Sequence, residues 1–492
     1  MHKQYWLCLM ALHWAPGAVA DYKNDIGYAA LQTLLGANTP TGDGVNVVQA
    51  EASLAAIDKP TVYAPNIADT QFSGKTFYFP GTPSALVSSH ATSVGWRFYG
   101  NEGIAPGIKR IASYDANEWL QSLVPSKTQV ALPPVNASRI ANHSWIAGGE
   151  PADAAGLVLR LVDRQVQHNE FIQVVGMNNN VSNAPLMGSA YNVIAVGRTD
   201  GLQDRGSDAV DAVYAAGRTR PDLVAPQTTT SAATPIVAAA AALLVETGHK
   251  AALAVSNGSI NIDGVGTVYN GERAETVKAA LMAGADRITD NTSTTANIAD
   301  YRAGSHQTVN GLDDRFGAGQ LNILQSYQII AAGEQDSLED DSGAGDITAA
   351  GFDYDGAFGG LDSNITATYK ITALADLNLT ASLVWNLGVS NDSSLVTSLH
   401  DLDLELFDTT AQTSTAFSAS KVDNSENLWV NLAMGHHYQL SVKSGEANPF
   451  AWDYALAWHM KPLQTAPVPL PSAFYLFVGA IGSLGWLSRR KA

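Results

Sequence analysis

The chain has 492 residues, 46% of them hydrophobic, and its 28 Lys and Arg against 46 Asp and Glu give a net charge of −18 at pH 7. This length allows more than one buried core, since domains usually hold about 100–200 residues. An acidic surface repels phosphate backbones, so nucleic acid is excluded as an expected partner. The single cysteine, Cys8, lies in a segment that we expect to be removed, which excludes disulfides, thiolate metal sites and a cysteine nucleophile from the mature protein.

Residues 1–20 have the pattern of an export signal. A short basic start precedes an apolar stretch, and the small residues Ala18-Val19-Ala20 follow it. We therefore expect export with cleavage after Ala20. A buried N-terminal helix is the alternative.

Residues 21–332 alternate apolar runs with helical stretches, and we expect them to form one domain. Three runs are typical of buried strands: GVNVVQA (44–50), FIQVVGM (171–177) and VIAVG (193–197). The Ala-rich stretch 234–246 is typical of a buried helix. Buried strands separated by helices predict an α/β fold, with a mostly parallel sheet covered by helices on both faces.

The composition changes after this region. Residues 333–346 are acidic and contain Gly and Ser, as linkers do. Beyond them, in 347–464, polar and apolar residues alternate with a period of two, most clearly in 377–387, 402–408, 427–433 and 438–444. This alternation predicts antiparallel strands that form an all-β sandwich.

Residues 465–492 combine three features: the letters VPLP at 468–471, an apolar stretch, and the basic tail Arg489-Arg490-Lys491. The apolar stretch is shorter than the roughly 20 residues of a comfortable membrane-spanning helix, so it predicts a short transmembrane segment. The pattern resembles the PEP-CTERM sorting signals of Gram-negative bacteria. The resemblance implies transient membrane anchoring, processing by an exosortase-like sorting enzyme, and delivery to the cell envelope or extracellular matrix. A plain C-terminal membrane anchor is the alternative.

Four residues that can carry chemistry fall at strand ends or helix starts. Glu51 ends the first predicted strand, and Asn178 follows the second. His90 opens a predicted helix, and Ser231 immediately precedes the Ala-rich helix. Open α/β sheets bind ligands at the carboxyl ends of their strands, so we expect these four residues to meet there.

These residue types suit acyl transfer. A serine hydroxyl becomes a nucleophile when a base takes its proton, and histidine, with a pKa near 6.5, is such a base near neutral pH. A carboxylate on the far ring nitrogen fixes the tautomer, and an Asn amide with a backbone N–H can hold the oxyanion. We therefore predict Ser231 as nucleophile, His90 as general base, Glu51 as the orienting carboxylate and Asn178 in the oxyanion hole.

The order Glu51, His90, Asn178, Ser231 resembles that of the subtilases, the subtilisin-like serine peptidases. Further segments are similar to subtilase landmarks, so that the likeness spans roughly residues 25–330: GIAPGIKRIASYDA (103–116), NHSWIAGG (142–149), YNVIAVGRTD (191–200), RPDLVAPQ (220–227), VKAALMAGA (277–285) and FGAGQLN (316–322). The resemblance implies a subtilisin-like fold, endopeptidase activity on polypeptide substrates through an acyl-enzyme, and a substrate-binding role for Ser144. The sandwich resembles the β-domains that follow the catalytic unit in many subtilases.

The chain departs from the subtilase pattern in four ways. Glu51 stands where the family usually has Asp, although the related sedolisins do pair Glu with Ser. The motif around His90 reads HATS instead of HGTH, and TTSAATP replaces GTSMASP, with Thr229 in place of a glycine. The segment between Ala20 and Gly44 is too short for the usual propeptide. These departures leave a second hypothesis open: a catalytically impaired subtilase-like scaffold with a binding or structural role at the envelope.

All four site residues have alternatives at this stage. His90 can be a structural histidine that caps a helix, and Ser231 can be an N-cap. Asn178 begins a run of three Asn, so a neighbour in 178–180 can take its place in the oxyanion hole. Glu51 can instead be a surface glutamate, with the orienting role lost or supplied elsewhere.

The sequence requires no cofactor and assigns no metal ligand. Oxygen-rich loops suit Ca²⁺, and two acidic groups in the C-terminal region allow it: Asp353, Asp355 and Asp362, and Asp401 with Asp403. A solvated acidic face is the alternative.

Overall fold

The computed structural model describes residues 22–53, 61–123, 137–148, 151–180, 185–292, 296–339, 343–359, 365–446 and 450–463. The predicted export signal and sorting signal lie outside the described residues, as does Asp362. The bounds of these signals, and of the domains, stay predictions.

A parallel sheet forms the centre of the N-terminal region. Its strands are β1 (Val47–Glu51), β2 (Thr76–Tyr78), β3 (Arg110–Asp115), β4 (Ile140–His143), β5 (Ile172–Gly176), β6 (Ile194–Arg198) and β7 (Leu223–Ala225). They form one seven-stranded sheet in the order β2-β3-β1-β4-β5-β6-β7, in which every neighbouring pair is parallel. The predicted parallel sheet is confirmed.

Helices cover both faces of this sheet. The helices of the region are α1 (Tyr22–Asp25), α2 (Tyr28–Leu35), α3 (Ser89–Phe98), α4 (Ala116–Leu123), α5 (Ala152–Asn169), α6 (Thr230–Lys250), α7 (Ala252–Val255), α8 (Ala274–Ala283) and α9 (Ile323–Ala332). Alternation along β1 separates two core layers: Val47 packs in the layer of α6, whereas Val48 packs in the layer that contains Trp119 of α4 and Leu159 of α5. Residues of β1 with odd numbers therefore face α6.

Helix α6 lies across the sheet, in contact with β4, β5, β6 and β7. It is long and apolar enough to cross a membrane, but 83% of its most apolar 18-residue window is buried inside the protein, as expected of a core helix. Close approach to β5 requires glycine at position 176, since a Cβ there would lie 2.8 Å from the Oγ1 of Thr234. This tight packing fixes the position of the helix start above the strand ends.

The C-terminal region is a β-sandwich, after a small hairpin of β8 (Ser259–Ile262) and β9 (Gly266–Tyr269). Its strands are β10 (Ala350–Phe358), β11 (Thr366–Thr372), β12 (Leu377–Val384), β13 (Gly388–Val389), β14 (Thr397–Ser398), β15 (Leu402–Asp408), β16 (Thr413–Ser418), β17 (Ser425–Leu432), β18 (His437–Ser444) and β19 (Trp452–Pro462). Two antiparallel four-stranded sheets, β10-β19-β12-β17 and β11-β18-β15-β16, enclose an apolar core. The predicted all-β sandwich is confirmed.

The first sandwich sheet also packs against the helices of the N-terminal region. Along β19, Leu456 and Trp458 lie in the sandwich core, whereas Ala455 and Ala457 lie in the core that includes α6 and α8. Small side chains on that face let α8 approach closely. The two regions are thus joined by a continuous apolar layer. Glu334, from the acidic segment, forms a bridge with Phe352 of β10 beside this layer.

Candidate active site

Glu51 and His90 form a hydrogen-bonded pair at the carboxyl end of the parallel sheet. Glu51 is the last residue of β1, and His90 is the second residue of α3. The Nδ1 of His90 lies 2.8 Å from the Oε2 of Glu51. The Glu51 side chain is 1% exposed and that of His90 is 35% exposed. The carboxylate that the sequence predicted to orient His90 is therefore buried against it, and is not a surface glutamate.

The helix that carries His90 is capped at its start. Ser88 precedes the helix in extended conformation, and its hydroxyl accepts the N–H of Ala91 at 3.1 Å. Such a cap satisfies one of the N–H groups that a first turn leaves without an intrahelical acceptor. The turn that presents His90 is held in place by this bond.

The pair lies at the switch point of the sheet. From β1 the chain continues to β2 and β3 on one side, and from β4 it continues to β5, β6 and β7 on the other. Ligands of open parallel sheets bind in the crevice at such a point. Ala50 is paired with His143, so the next residues, Glu51 and Ser144, are neighbours across this crevice.

The electrostatics favour a charged form of His90. Burial, the largest influence, lowers the pKa of the imidazole, but the hydrogen bond and the charge of Glu51 together outweigh it, and Arg97 opposes them weakly. The net result is a pKa raised from the ordinary value of a histidine. A proton taken up by His90 is thus stabilised by the buried carboxylate.

Ser231 lies in the first turn of α6, where the sequence predicted a position just before the helix. The backbone carbonyl of Ser231 has no helical donor at the usual position, because the residue four places on is Pro235, which has no N–H. The hydroxyl of Ser144 donates to this carbonyl oxygen at 3.2 Å. Since Ser144 neighbours Glu51 at the switch point, the start of α6 lies at the same edge of the sheet as the Glu51–His90 pair.

The hydroxyl of Ser231 is bonded to Thr229 in this structure. Its Oγ donates to the Oγ1 of Thr229 at 3.5 Å, the outer limit of a hydrogen bond. Between His90 and Ser231 there is no hydrogen bond, although α3 and α6 pack against each other. Catalytic hydrogen bonds are often long without substrate and shorten when it binds.

The Asn run that follows β5 places two side chains differently. The Oδ1 of Asn178 accepts the N–H of Asn180 at 3.1 Å, within the turn. The Oδ1 of Asn179 accepts the N–H of Thr230 at 2.9 Å, at the start of α6. The amide of Asn179 is thus bonded beside Ser231. The alternative in which Asn179 takes the place of Asn178 in the oxyanion hole therefore stays open.

The sequence reasoning did not single out Asn179 or Pro235 as parts of the site. Asn179 lies 51 residues before Thr230 in the chain, so no local capping pattern connects the two. Pro235 could have been found, since a proline inside a helix frees the carbonyl four residues earlier. Another carboxylate at this edge, Asp115, accepts the N–H of Asn117 at 2.9 Å and so caps α4.

One acidic cluster includes a residue that the sequence named for Ca²⁺. Carboxylate oxygens of Glu334, Asp336 and Asp353 lie within 4.8 Å of one another. Burial raises the pKa of Glu334 to about 7, and the N–H of Asn257 and the amide of Asn270 limit that rise. Oxygen ligands of this kind fit Ca²⁺, but side chains of the protein already occupy these carboxylates: Asn270 donates to Glu334, Asn257 to Asp336 and Tyr369 to Asp353.

Comparison with known proteins gives a limited likeness. No family model and no curated protein matches the chain. Among 163 matching chains of solved structures is the PatG macrocyclase in complex with peptide. Its TM-score is 0.39 and its identity 15%, and the match covers 65% of this chain and 99% of that chain. This likeness says nothing about activity, so the chemistry has to be inferred from the residues themselves.

Proposed function

We propose that the chain is a serine endopeptidase that forms an acyl-enzyme on Ser231, with His90 as general base and Glu51 as its orienting carboxylate. One observation carries the proposal: the 2.8 Å bond between His90 Nδ1 and Glu51 Oε2, at the switch point where α6 presents Ser231. A buried carboxylate on Nδ1 fixes the tautomer in which Nε2 accepts a proton. The similarity of the surrounding motifs to subtilases supports the same function.

The reaction follows from these positions. Ser231 Oγ bonds to the carbonyl carbon of the scissile peptide as its proton passes to His90 Nε2. The tetrahedral intermediate then collapses, the C–N bond breaks, and His90 gives the proton to the leaving amine. Water then attacks the acyl carbon while His90 takes a proton from it, the bond to Ser231 Oγ breaks to release the acid, and His90 returns the proton to Ser231. The charge of Glu51 stabilises the imidazolium that exists between the two proton transfers.

The oxyanion is assigned to groups at the start of α6. The first N–H groups of a helix have no intrahelical acceptor, and the helix dipole places partial positive charge there. The backbone N–H of Ser231 is one donor. The amide of Asn178 is the second donor, as the sequence predicts, and the amide of Asn179 is the alternative because it is already bonded at Thr230. Ser144 contributes to substrate binding from the neighbouring strand.

Hydrolysis of fluorescein-labelled casein by the full chain tests this function. We expect release of labelled peptides near pH 8, and Ser231→Ala should reduce that release by at least about 10³-fold. Ser93→Ala is a suitable control, since it removes a serine hydroxyl from α3 without touching the three proposed catalytic residues. Wild-type protein that is folded and releases no peptides would contradict the proposal.

A non-catalytic scaffold is the second candidate. It is favoured by the bond from Ser231 to Thr229, which directs the nucleophilic oxygen to a neutral hydroxyl rather than to His90. In that case the Glu51–His90 pair is a structural contact, and the Ser231→Ala variant keeps all functions of the parent.

Export and sorting belong to the same proposal. The pattern of residues 1–20 supports export, and that of 465–492 supports sorting to the envelope or extracellular matrix of a Gram-negative bacterium, with a transient membrane anchor. Mass spectrometry of the protein from the producing cell tests both signals. We expect a mature N-terminus at Asp21 and loss of Arg489, Arg490 and Lys491; retention of both ends would contradict this part of the proposal.

A further inference from the structure

A buried glutamine stands two residues before the proposed orienting carboxylate. Gln49 lies on the same face of β1 as Glu51, because alternate residues of a strand point the same way. Gln49 is 0% exposed, Glu51 is 1% exposed and Tyr99 of the neighbouring chain segment is 0% exposed. A free amide at this depth would be costly, so its hydrogen bonds decide whether the strand is stable.

Each polar atom of Gln49 has a partner. Its Nε2 donates to Glu51 Oε1 at 2.8 Å and to the carbonyl oxygen of Ala91 at 2.8 Å. Its Oε1 accepts a short hydrogen bond from the hydroxyl of Tyr99. A carbonyl and a carboxylate can only accept, so the amide nitrogen must face them and the orientation of the Gln49 amide is fixed.

These bonds connect both members of the catalytic pair. The carboxylate of Glu51 is held at two points, with Gln49 on Oε1 and His90 on Oε2. Ala91 is the residue next to His90, so the same Gln49 nitrogen also ties β1 to the first turn of α3. A glutamate has one more rotatable bond than an aspartate, and the second contact removes the freedom that this bond adds.

Tyr99 is itself held rigidly. It follows the last residue of α3, and its ring packs against Phe72, Phe77 and Phe98, at centroid separations of 5.3, 5.8 and 5.6 Å. Its hydroxyl passes beneath the helix where Gly95 leaves room, since a Cβ at position 95 would lie 2.6 Å from that oxygen. The chain of bonds therefore ends on an immobile group.

We infer that Gln49 and Tyr99 are positioning residues of the active site: the chain Tyr99–Gln49–Glu51–His90 fixes the longer carboxylate of Glu51 in the place where it orients the imidazole. This inference rests on the proposed function, which makes His90 the general base. Residues that hold the ligands of a metal site matter by about 10–100-fold in activity, and we expect the same magnitude here, because reacting groups must be held within about 0.5 Å of productive geometry.

Kinetics of the full chain with Gln49→Leu tests the inference. Leucine keeps the volume of the side chain and removes both donors, so we expect kcat to fall about 10–100-fold with KM within about twofold of the parent value. Without the Gln49 amide on its Oε1, the Glu51 carboxylate stabilises protonated His90 more strongly. The pKa of His90 should therefore rise, and the acid limb of the kcat profile should move to higher pH. Tyr99→Phe, which leaves Gln49 bonded to Glu51, should show the same changes to a smaller degree.

Gln173→Leu is the matched control, because Gln173 is a fully buried glutamine of β5 that bonds Gln165 and the carbonyl of Val162, away from the pair. It reports the cost of losing a buried amide from the same sheet. If Gln49→Leu and Gln173→Leu change kcat equally and neither moves the acid limb, Gln49 is merely structural and the inference is overturned.

Titration of the His90 ring by ¹⁵N NMR separates this inference from the proposed function. In the wild-type chain without substrate we expect a hydrogen-bonded Nδ1 proton and a raised pKa, both altered by Gln49→Leu and unaltered by Gln173→Leu. That result needs no peptidase activity. An active enzyme whose His90 spectrum is unchanged by Gln49→Leu overturns the positioning role alone, whereas an inactive wild-type chain with the altered spectrum overturns the proposed function alone.

Discussion

The hydroxyl of Ser144 donates a hydrogen bond of 3.2 Å to the backbone carbonyl of Ser231, the oxygen that Pro235 leaves without a helical donor. The same hydroxyl accepts the amide of Asn142 at 3.0 Å. One strand end thus holds the first turn of α6 against the switch point of the sheet. The position of the proposed nucleophile depends on β4 as well as on its own helix.

Ser144→Ala should therefore affect both stability and activity. The Ser231 carbonyl loses its donor, which we expect to lower the free energy of unfolding by about 1–3 kcal/mol. A small displacement of the helix start should lower kcat by about 10–100-fold. Thermal unfolding and casein hydrolysis measure the two effects. Ser382→Ala is the control, because the buried Ser382 hydroxyl has no partner among the described residues; equal effects of both substitutions would refute the role of Ser144.

Glu51→Gln should slow the reaction and shift its pH dependence. The amide keeps the shape of the carboxylate but loses the charge that stabilises protonated His90, so kcat should fall on the order of 10³–10⁴-fold. Burial then acts on His90 without that charge, so the pKa of His90 falls and the acid limb of the residual activity moves to lower pH. Peptide hydrolysis between pH 5 and 9 measures both. Glu102→Gln, at an exposed position, should match the parent.

Thr229→Val should accelerate acylation slightly. Valine has the shape of threonine without the hydroxyl, so the Oγ of Ser231 loses the acceptor that holds it away from His90. A bond of 3.5 Å is weak, and we expect labelling by a fluorophosphonate to become about twofold faster. Thr228→Val, at the exposed neighbouring position, is the control. Labelling slowed tenfold by Thr229→Val would mean that the Thr229 hydroxyl assists catalysis.

Glu275→Gln should stabilise the protein increasingly as the pH rises. Burial, followed by the charges of Glu170 and Asp453, raises the pKa of Glu275 well above its usual value, and its Oε2 has no partner among the described residues. The folded chain therefore holds a proton that the unfolded chain releases above about pH 4.3, so wild-type stability falls as the pH rises beyond that value. Glutamine removes this dependence.

Thermal unfolding of the wild-type chain and of Glu275→Gln at pH 5 and pH 8 measures the difference. The expected result is a larger advantage for the variant at pH 8. The amide of Asn386 donates to Glu275 from the sandwich, so the effect would also report on the contact between the two regions. An advantage that is equal at both pH values would show that the folded chain does not keep Glu275 protonated above pH 5.

The sequence predicted the fold well because burial leaves clear periodic signals. The apolar run at 171–177 contains β5, the run at 193–197 contains all of β6 except its last residue, Arg198, and the Ala-rich stretch 234–246 lies inside α6. It also placed Glu51 and His90 at a strand end and a helix start, where the structure has them. Chain order alone identifies such positions, since in a parallel sheet all carboxyl ends lie at one edge.

Hydrogen bonds across the sheet were not predictable in the same way. The bond from Asn179 to Thr230 depends on how the turn after β5 directs three consecutive Asn side chains, which composition cannot distinguish. Gln49 carried a signal that was available, because an amide two residues before Glu51 in a buried strand must find partners. The packing of the sandwich on α8 had no such signal, because Glu275 and Lys278 give this helix charged residues that are nevertheless buried.

The most direct test of the central claim is mass spectrometry of the folded full chain after treatment with a fluorophosphonate. We expect one adduct, on the peptide that contains Ser231, formed more slowly as the pH falls below the pKa of His90 and lost in both Ser231→Ala and His90→Ala. Absence of any adduct over a broad pH range, or an adduct on Ser231 that forms equally fast in His90→Ala, would contradict the central claim.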